Sequence, residues 1–324
     1  MAKAMRIHQT GGPEALQWED VAVGDPGPGE ARVRHKAVGL NFVDVYQRSG
    51  LYKVPLPSGL GSEGAGVVEA VGAGVTVVKP GDRVTYYGGP LGAYSEARNM
   101  PAGRMIVLPD GISFETAAAM TLKGLTVQCL LRSAYRVQPG QTILWQAAAG
   151  GVGLIACQWA KALGVSVIGT VGSEQKAALA RAHGCDHVIN YARENLVERV
   201  REIMGGKGVP VVYDSVGKDT FMGSLDCLSA RGMIVSFGNS SGAVPPLDIT
   251  LLAQKGSLYL TRASAATYFA QRPDLEAGAK ELFEMVGSGK VKIEINARYA
   301  LKDAGQAHQD LVARKTTGST ILVP

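Results

Sequence analysis

A loop of small residues between an apolar strand and a helical stretch constrains the fold of this chain more than any other feature. Residues 142–147 read as a buried strand, and residues 147–153 (Ala-Ala-Ala-Gly-Gly-Val-Gly) follow directly. Apolar residues then recur at helical spacing as far as Gly164, which stands where a helix commonly ends. Small residues allow the backbone to approach a phosphate, and a helix N-terminus offers it unpaired N–H groups. The loop therefore predicts a dinucleotide-binding unit, and a tight turn without a ligand is the alternative.

The same alternation of strand and helix continues along the middle of the chain. Strand-like segments are predicted at residues 142–147, 165–169, 187–190, 211–214, 233–237 and 258–260. Strands joined by helical crossovers form a parallel, doubly wound sheet. We therefore predict an α/β fold with a six-stranded parallel sheet.

The first part of the chain has a different texture. Short strand-like segments separated by Gly/Pro turns are predicted at residues 4–8, 31–38, 66–71 and 82–87. Such spacing is typical of an irregular barrel or sandwich. Two helices are expected after it, one beginning at Phe114 behind Ser113 as N-cap and one over residues 122–133. The C-terminal strand-like segment, residues 319–323, is expected to return to this β-rich domain.

Composition and charge exclude several classes of protein. The chain of 324 residues has 46% hydrophobic and 19% charged residues, which is globular composition and not that of a disordered chain. The four cysteines lie far apart, which argues against a disulfide scaffold or a structural zinc site and favours a reducing, cytoplasmic setting. The net charge of +5 is spread along the chain, so nucleic acid is not an expected partner. Neither a membrane span nor a signal peptide is expected.

The residues after the second strand of the sheet indicate which dinucleotide binds. NAD enzymes usually place an acid there to hold the ribose diol, but Thr170, Val171 and Gly172 are not acidic. Ser173 and Lys176 follow, and a hydroxyl with an ammonium suits the 2′-phosphate of NADPH. Glu174 is an acid in this segment and would disfavour a 2′-phosphate, unless it points to solvent in the first turn of a helix. Tyr191, after the third strand, is a further candidate or else a core tyrosine.

Four segments together resemble a known family. They are residues 140–161 (Gly-Gln-x-x-Leu-x-x-x-Ala-Ala-Gly-Gly-x-Gly-x-x-x-x-Gln-x-x-Lys), 41–52 (Asn-Phe-x-Asp-x-Tyr-x-Arg-x-Gly-x-Tyr), 211–217 (Val-Val-Tyr-Asp-Ser-Val-Gly) and 236–239 (Ser-Phe-Gly-Asn). The pattern resembles the quinone oxidoreductase/ζ-crystallin family, the zinc-free branch of the medium-chain dehydrogenases and reductases, and is most similar to its bacterial NADPH-dependent members. The resemblance extends over nearly the whole chain.

The resemblance implies an architecture, a cofactor and a set of site residues. It implies a GroES-like catalytic domain of residues 1–122 plus 265–324, a Rossmann NADPH-binding domain of residues 123–264, and a homodimer. The implied reaction is hydride transfer from NADPH to a quinone. The cofactor-binding residues implied are Asn41 and Thr126 by the nicotinamide and its ribose, Gly150, Gly151 and Val152 at the pyrophosphate, Ser173, Lys176 and Tyr191 at the 2′-phosphate, Ser215, Phe237, Gly238 and Asn239 at the strand ends, and Arg262 and Arg314.

The same resemblance implies that no metal takes part. Zinc-binding relatives have Cys where Asn41 stands and Gly-His-Glu where residues 61–63 (Gly-Ser-Glu) stand, and Glu63 alone cannot hold a catalytic zinc. Without a Lewis acid the substrate must already accept hydride readily, as a quinone or another conjugated carbonyl does.

Asn41, Tyr46 and Tyr52 are the expected catalytic residues. A tyrosine hydroxyl would hydrogen-bond the acceptor carbonyl or donate a proton, or both rings would only line the pocket while water supplies the proton. Two other functions stay open: an enone or alkenal double-bond reductase on the same scaffold, and an NADPH-regulated RNA-binding protein.

Overall fold

The computed structural model describes residues 1–324 and divides them into two compact units. The first unit consists of Met1–Leu125, Phe269–Gly287 and Ile293–Pro324, and the second of Thr126–Tyr268 and Ser288–Lys292. Each unit therefore contains segments that are distant in sequence.

Sixteen strands and ten α-helices are numbered here in chain order. The strands are β1 (Ala2–Ile7), β2 (Leu16–Val21), β3 (Glu30–Leu40), β4 (Ser58–Gly59), β5 (Glu63–Val71), β6 (Arg83–Tyr87), β7 (Ala97–Pro101), β8 (Met105–Val107), β9 (Thr142–Trp145), β10 (Ser166–Val171), β11 (His187–Asn190), β12 (Val209–Asp214), β13 (Leu228–Ser236), β14 (Tyr259–Arg262), β15 (Ile295–Ala300) and β16 (Ser319–Val323). The helices are α1 (Phe42–Ser49), α2 (Phe114–Cys129), α3 (Gly151–Ala162), α4 (Glu174–Ala182), α5 (Leu196–Ile203), α6 (Phe221–Asp226), α7 (Thr250–Gln254), α8 (Ala265–Tyr268), α9 (Arg272–Gly287) and α10 (Ala304–Val312).

The first unit is built from two β-sheets. One has the strand order β2-β1-β4, and the other has the order β15-β16-β3-β5-β6-β8, with β7 also paired to β3. The C-terminal β16 runs antiparallel to β3, with Thr320 opposite Leu40. Alternating residues of β3, such as Ala31 and Val33, are fully buried in the core of this unit. The N-terminal and C-terminal segments thus share one sheet.

The second unit confirms the predicted six-stranded parallel sheet. Its strand order is β11-β10-β9-β12-β13-β14, and every neighbouring pair is parallel. The strand order reverses between β9 and β12, and ligands of such sheets bind beyond the carboxyl ends of the strands at that reversal. The loop of small residues follows β9 and therefore lies at this position.

One helix replaces the two that were expected after residue 113. Ser113 caps it as predicted, accepting a hydrogen bond from Thr116 N at 3.1 Å. The predicted interruption near residue 122 is wrong, because α2 runs without a break to Cys129 and continues as a π-helical turn over Leu130–Ala134. Gly124 lies inside this helix, and the side chain of Leu282 occupies the place of its missing Cβ.

Candidate active site

The loop after β9 presents backbone N–H groups at the start of α3. Gly150 is the N-cap, with φ −78° and ψ 168°, and has no side chain to cap the helix. Its own N–H donates to Ala147 O at 3.0 Å. The N–H groups of Gly151, Val152 and Gly153 have no acceptor within the helix, because the first turn of a helix never provides one. Donors of this kind at the positive end of a helix dipole can hold an anion. The structure places Gly150, Gly151 and Val152 at this helix start, and their role at a pyrophosphate stays a prediction.

Two glycines of this loop have different physical reasons to be glycine. A Cβ on Gly153 would lie 2.5 Å from Ala147 O and 2.6 Å from Ala148 O, so Gly153 allows α3 to pack against the loop. A Cβ on Gly150 would meet only Ala147 O, at 3.3 Å, and the backbone of Gly150 is one that any residue adopts. Folding therefore requires glycine at 153, whereas at 150 the space is free for a ligand.

The end of β10 carries hydroxyls and a cation. Ser173 is the N-cap of α4, and its Oγ accepts from Lys176 N at 3.3 Å. Tyr191 is half exposed, and its hydroxyl oxygen lies 2.5 Å from the position that a Cβ on Gly172 would take. The phenol therefore lies across Gly172, next to Ser173. Ser173, Lys176 and Tyr191, which were predicted separately from two strand ends, are grouped at one end of the sheet.

Glu174, which argued against a 2′-phosphate, is held by other side chains. Its Oε1 accepts from Asn190 Nδ2 at 2.8 Å and lies 3.5 Å from Arg193 Nη1. Because Arg193 neutralises it in part, the carboxylate is a weaker obstacle to a bound phosphate than an unpaired acid would be.

The turns after β12 and β13 lie side by side. Phe237 N donates to Asp214 O at 2.8 Å, and Gly238 packs so closely on Ser215 that a Cβ there would overlap the backbone. Arg262, in the adjacent β14, donates from Nη1 to Ser236 Oγ and to Gly238 O, each at 3.0 Å. The predicted residues of the strand ends therefore form one surface, and Arg262 also holds one of its turns in place.

Two further predicted cofactor residues lie within or directly after helices. Thr126 belongs to α2, where the chain passes from the first unit to the second. Arg314 is exposed in the first unit, directly after α10, in a left-handed backbone conformation with φ 58°. Their roles at a cofactor stay predictions.

In the first unit, Asn41 belongs to a buried polar cluster. Asn41 caps α1, its backbone N donates to Asp44 Oδ2 at 2.9 Å, and its Nδ2 donates to Glu63 Oε2 at 2.8 Å. Glu63 is fully buried and also accepts from Leu122 N at 2.6 Å. Lys123 Nζ lies 3.7 Å from Glu63 Oε2. These contacts fix the carboxamide of Asn41 through its NH₂ group.

Burial is the main influence on the charge of Glu63. It raises the pKa of the carboxyl, while Lys123, Asn41 and Leu122 lower that pKa in part. The ammonium and the amide occupy the surroundings where zinc-binding relatives are expected to have metal ligands. No group of three His, Cys, Asp or Glu side chains that could hold a metal ion occurs in residues 1–324.

Tyr46 and Tyr52 are brought together beside α1. Their ring centroids are 5.1 Å apart in an edge-on arrangement with an interplanar angle of 62°, and Phe42 lies 6.1 Å from Tyr46. Tyr46 is buried, whereas Tyr52 is 36% exposed. The tilted rings form an aromatic wall with two hydroxyls, against which an aromatic acceptor can pack.

A second set of polar residues in the first unit was not predicted as a group. Tyr94 OH donates to Asp44 Oδ2 at 2.9 Å and lies 3.0 Å from His308 Nε2. Burial raises the pKa of Asp44 to about 7 and lowers the pKa of His308 to about 3. The sequence placed Asp44 as a buried hydrogen-bonding acid, but no local pattern links it to residues so distant along the chain.

Comparison with known proteins agrees with the class that these features define. Residues 27–110 match the family model of the alcohol dehydrogenase GroES-like domain, and residues 151–288 match that of the zinc-binding dehydrogenases. A GroES-like unit and a Rossmann unit with a glycine loop in one chain are the architecture of a nucleotide-dependent dehydrogenase or reductase. The chain belongs to the quinone oxidoreductase family of the medium-chain dehydrogenases and reductases.

Three relatives illustrate the similarity. The quinone oxidoreductase of Pseudomonas aeruginosa is 57% identical over 325 residues, which covers 100% of both chains. The crystal structure of Escherichia coli quinone oxidoreductase complexed with NADPH is 54% identical, with a TM-score of 0.98 over 100% of both chains. The 2-haloacrylate reductase of a Burkholderia species is 45% identical and aligns with 100% of this chain and 99% of that protein.

No helix among residues 1–324 combines the length and the apolar character that a bilayer span requires.

Proposed function

We propose that this protein is an NADPH-dependent quinone reductase that works without a metal. The observation that carries the proposal is the full-length similarity to quinone oxidoreductases, one of which was crystallised with NADPH. When bound, NADPH supplies a hydride, and the protein supplies binding and orientation.

The second unit fits this cofactor. The free N–H groups of Gly151 and Val152 beside Gly150 match a pyrophosphate, and the absence of an acid at residues 170–172 leaves room for a 2′-phosphate. Ser173, Lys176 and Tyr191 bind that phosphate through a hydroxyl, an ammonium and a phenol. Ser215, Phe237, Gly238 and Asn239 line the strand ends, and Thr126, Arg262 and Arg314 are assigned to the cofactor on the family resemblance.

The first unit carries the residues assigned to the acceptor. Asn41, held by Glu63, presents its carboxamide in a fixed orientation, and Tyr46 and Tyr52 offer an aromatic surface. A hydroxyl beside a quinone carbonyl stabilises the negative charge that develops on its oxygen. The proton comes either from a tyrosine or from water, and separate Tyr46→Phe and Tyr52→Phe variants distinguish the two sources by the loss or retention of turnover.

The test is oxidation of NADPH by the purified protein with a small quinone and a conjugated enone measured side by side. We expect fast turnover with the quinone, slow turnover with the enone, and a preference for NADPH over NADH. Turnover of the enone alone would contradict the proposed substrate class, and a preference for NADH would contradict the assignment of Ser173 and Lys176.

An enone or alkenal double-bond reductase is the second candidate. It is favoured by the 45% identity to a protein named 2-haloacrylate reductase, whose name describes a conjugated acid as its substrate. The scaffold and the cofactor residues would be unchanged, so the same substrate comparison separates the two candidates.

Domain roles, assembly and location complete the proposal. We assign the catalytic role to residues 1–122 plus 265–324 and NADPH binding to residues 123–264.

A homodimer is supported by β14, an edge strand of the six-stranded sheet that exposes 57% of Tyr259 and 42% of Leu260. The four cysteines are buried free thiols, as suits the reducing cytoplasm. Light scattering of the purified protein tests the dimer, and Tyr259→Lys is expected to weaken it.

A further inference from the structure

We infer that a buried chain of hydrogen bonds beneath the glycine loop holds that loop in its binding conformation, with Thr170 and Gln146 as positioning residues. The inference rests on the proposed binding of the NADPH pyrophosphate by Gly150, Gly151 and Val152. None of the side chains that form these hydrogen bonds belongs to the set assigned to the cofactor.

The loop contains one strained residue. Ala147 has φ 59°, in the left-handed region that residues with a Cβ rarely adopt. Its carbonyl oxygen accepts from Gly150 N at 3.0 Å, which closes the turn directly before α3. The conformation of Ala147 therefore determines where the first-turn N–H groups point.

A continuous set of hydrogen bonds fixes the amide of Ala147. Ala147 N donates to Thr170 Oγ1 at 3.1 Å, and Thr170 Oγ1 donates to Gln146 Oε1 at 2.6 Å. Gln146 Nε2 donates to Ser224 Oγ at 3.0 Å, and Ser224 Oγ donates to Asp214 Oδ2 at 2.8 Å. At most 1% of Thr170, Gln146, Ser224 or Asp214 is exposed, so water does not replace these bonds.

Asp214 sets the direction of every bond in the chain. A carboxylate only accepts, and this one also receives Val216 N at 2.8 Å and Gly217 N at 3.0 Å. Ser224 must then donate to Asp214, and its oxygen is left to accept from the amide of Gln146. The Gln146 oxygen is then left to accept from the Thr170 hydroxyl, and the Thr170 oxygen accepts from Ala147 N. A reversed bond at any point would leave a buried donor without an acceptor, which is costly.

These hydrogen bonds thus extend from the last residue of β12 to the loop after β9, the two strands between which the strand order reverses. It prepares the pyrophosphate site before a ligand arrives, and preorganisation of this kind increases affinity without a new contact.

The test is the affinity of Thr170→Val, which keeps the shape of the side chain and removes its hydroxyl. We expect NADPH to bind about tenfold more weakly, which is about 1.4 kcal/mol of binding free energy. Adenosine 2′-monophosphate, a probe without a pyrophosphate, is expected to compete with unchanged affinity because Ser173, Lys176 and Tyr191 keep their places. Fluorescence titration measures both ligands.

A matched control is available in the first unit. Thr85 is also fully buried, donating to Gly64 O at 3.1 Å and lying 2.8 Å from Thr121 Oγ1. Thr85→Val should lose a similar amount of stability, because it removes an equally buried hydroxyl, and leave NADPH affinity unchanged. The double variant Thr170→Val/Ala147→Gly should recover affinity, because glycine adopts φ 59° without a steric cost.

The outcomes separate this inference from the proposed function. Wild-type affinity for NADPH in Thr170→Val, or an equal loss for both probes, would overturn the inference, and so would a double variant that recovers nothing. If Thr170→Val does not fold, Ser224→Ala interrupts the same chain two bonds further away and should weaken NADPH binding in the same direction, whereas unchanged affinity would overturn the inference. A wild-type protein that binds no NADPH would instead contradict the proposed function.

Discussion

In the second unit the pyrophosphate of NADPH is proposed to bind to backbone amides of the glycine loop, whereas in the first unit Asn41, proposed to act at the acceptor, works through a side chain that the buried Glu63 holds. Gly150 and Gly151 act through their backbone, and the network below them ends at a single carboxylate, Asp214. Asn41, by contrast, is held by Glu63, whose pKa is raised by burial. The glycine loop should therefore be sensitive to added volume, and the surroundings of Asn41 to a change of charge.

The largest effect is expected from Gly150→Val, which tests sensitivity to volume. The added side chain would occupy the space of the pyrophosphate, and we expect the affinity for NADPH to fall more than about a hundredfold, or about 2.7 kcal/mol. Because a Cβ there meets only Ala147 O, at 3.3 Å, the fold should survive. Titration with NADPH and thermal unfolding measure the two properties.

Gly153→Ala is the contrasting variant in the same loop. Its Cβ would lie 2.5 Å from Ala147 O, so we expect a loss of stability of about 1–3 kcal/mol. Unchanged NADPH affinity in Gly150→Val would show that the loop is only a turn, and a Gly153→Ala variant as stable as the wild type would contradict the packing assigned to Gly153.

The next effect concerns charge in the first unit. Lys123→Met leaves the buried carboxyl of Glu63 without its cation, 3.7 Å away, and we expect the free energy of unfolding to fall by about 3 kcal/mol. Urea unfolding measures it. Lys3→Met is the control, because the ion pair of Lys3 with Asp20 is exposed to solvent and should contribute less than about 1 kcal/mol. Equal losses in both variants would contradict the importance of buried charge around Asn41.

A smaller, selective effect is expected from Lys176→Ala. Loss of a charge-assisted hydrogen bond to the 2′-phosphate should weaken NADPH binding by about ten- to a hundredfold, with little change for NADH. The ratio of the two dissociation constants is the measurement. An equal loss for both cofactors, or no loss, would remove Lys176 from the 2′-phosphate site.

The smallest effect is a pH dependence confined to the first unit. Because the pKa of Asp44 is raised from 3.8 to about 7 by folding, the folded state binds more protons than the unfolded state between these values. This carboxyl therefore makes stability fall as pH rises. The free energy of unfolding of Asp44→Asn, taken relative to that of the wild type, should increase by about 1 kcal/mol between about pH 5 and 6.

The buried histidines oppose this trend in the wild type. The pKa of His35 is lowered to about 4 and that of His308 to about 3, so both make stability rise with pH up to their ordinary value of 6.5. Comparing the two proteins at each pH, by urea unfolding, cancels the histidine contribution. A constant difference between Asp44→Asn and the wild type would contradict the assignment.

The second unit, with its parallel sheet and glycine loop, was largely predictable from the sequence. Strand–loop–helix order, the six parallel strands and the capping of α2 by Ser113 all depend on local patterns that the chain displays. The unbroken course of α2 was not predictable, because helix propensity is a local signal, whereas this helix packs at Gly124 against Leu282, more than a hundred residues away.

The polar side-chain contacts of the first unit were predictable only in part. Asn41, Tyr46 and Tyr52 were found as members of one motif, but the partners that hold Asn41 come from β5 and α2. The bond from Tyr94 to Asp44 and the contact of Tyr94 with His308 join residues 50 and 214 positions apart. Such contacts follow from tertiary packing, and no periodicity in the sequence records them.

The most direct test of the central claim is a single-turnover measurement of quinone reduction by the chelator-treated protein, using NADPH deuterated at the transferred position. The account predicts a rate within about twofold of the untreated protein and a primary isotope effect on that rate, because hydride transfer needs no metal and is part of the observed step. Loss of turnover on chelation with recovery on addition of zinc would contradict it.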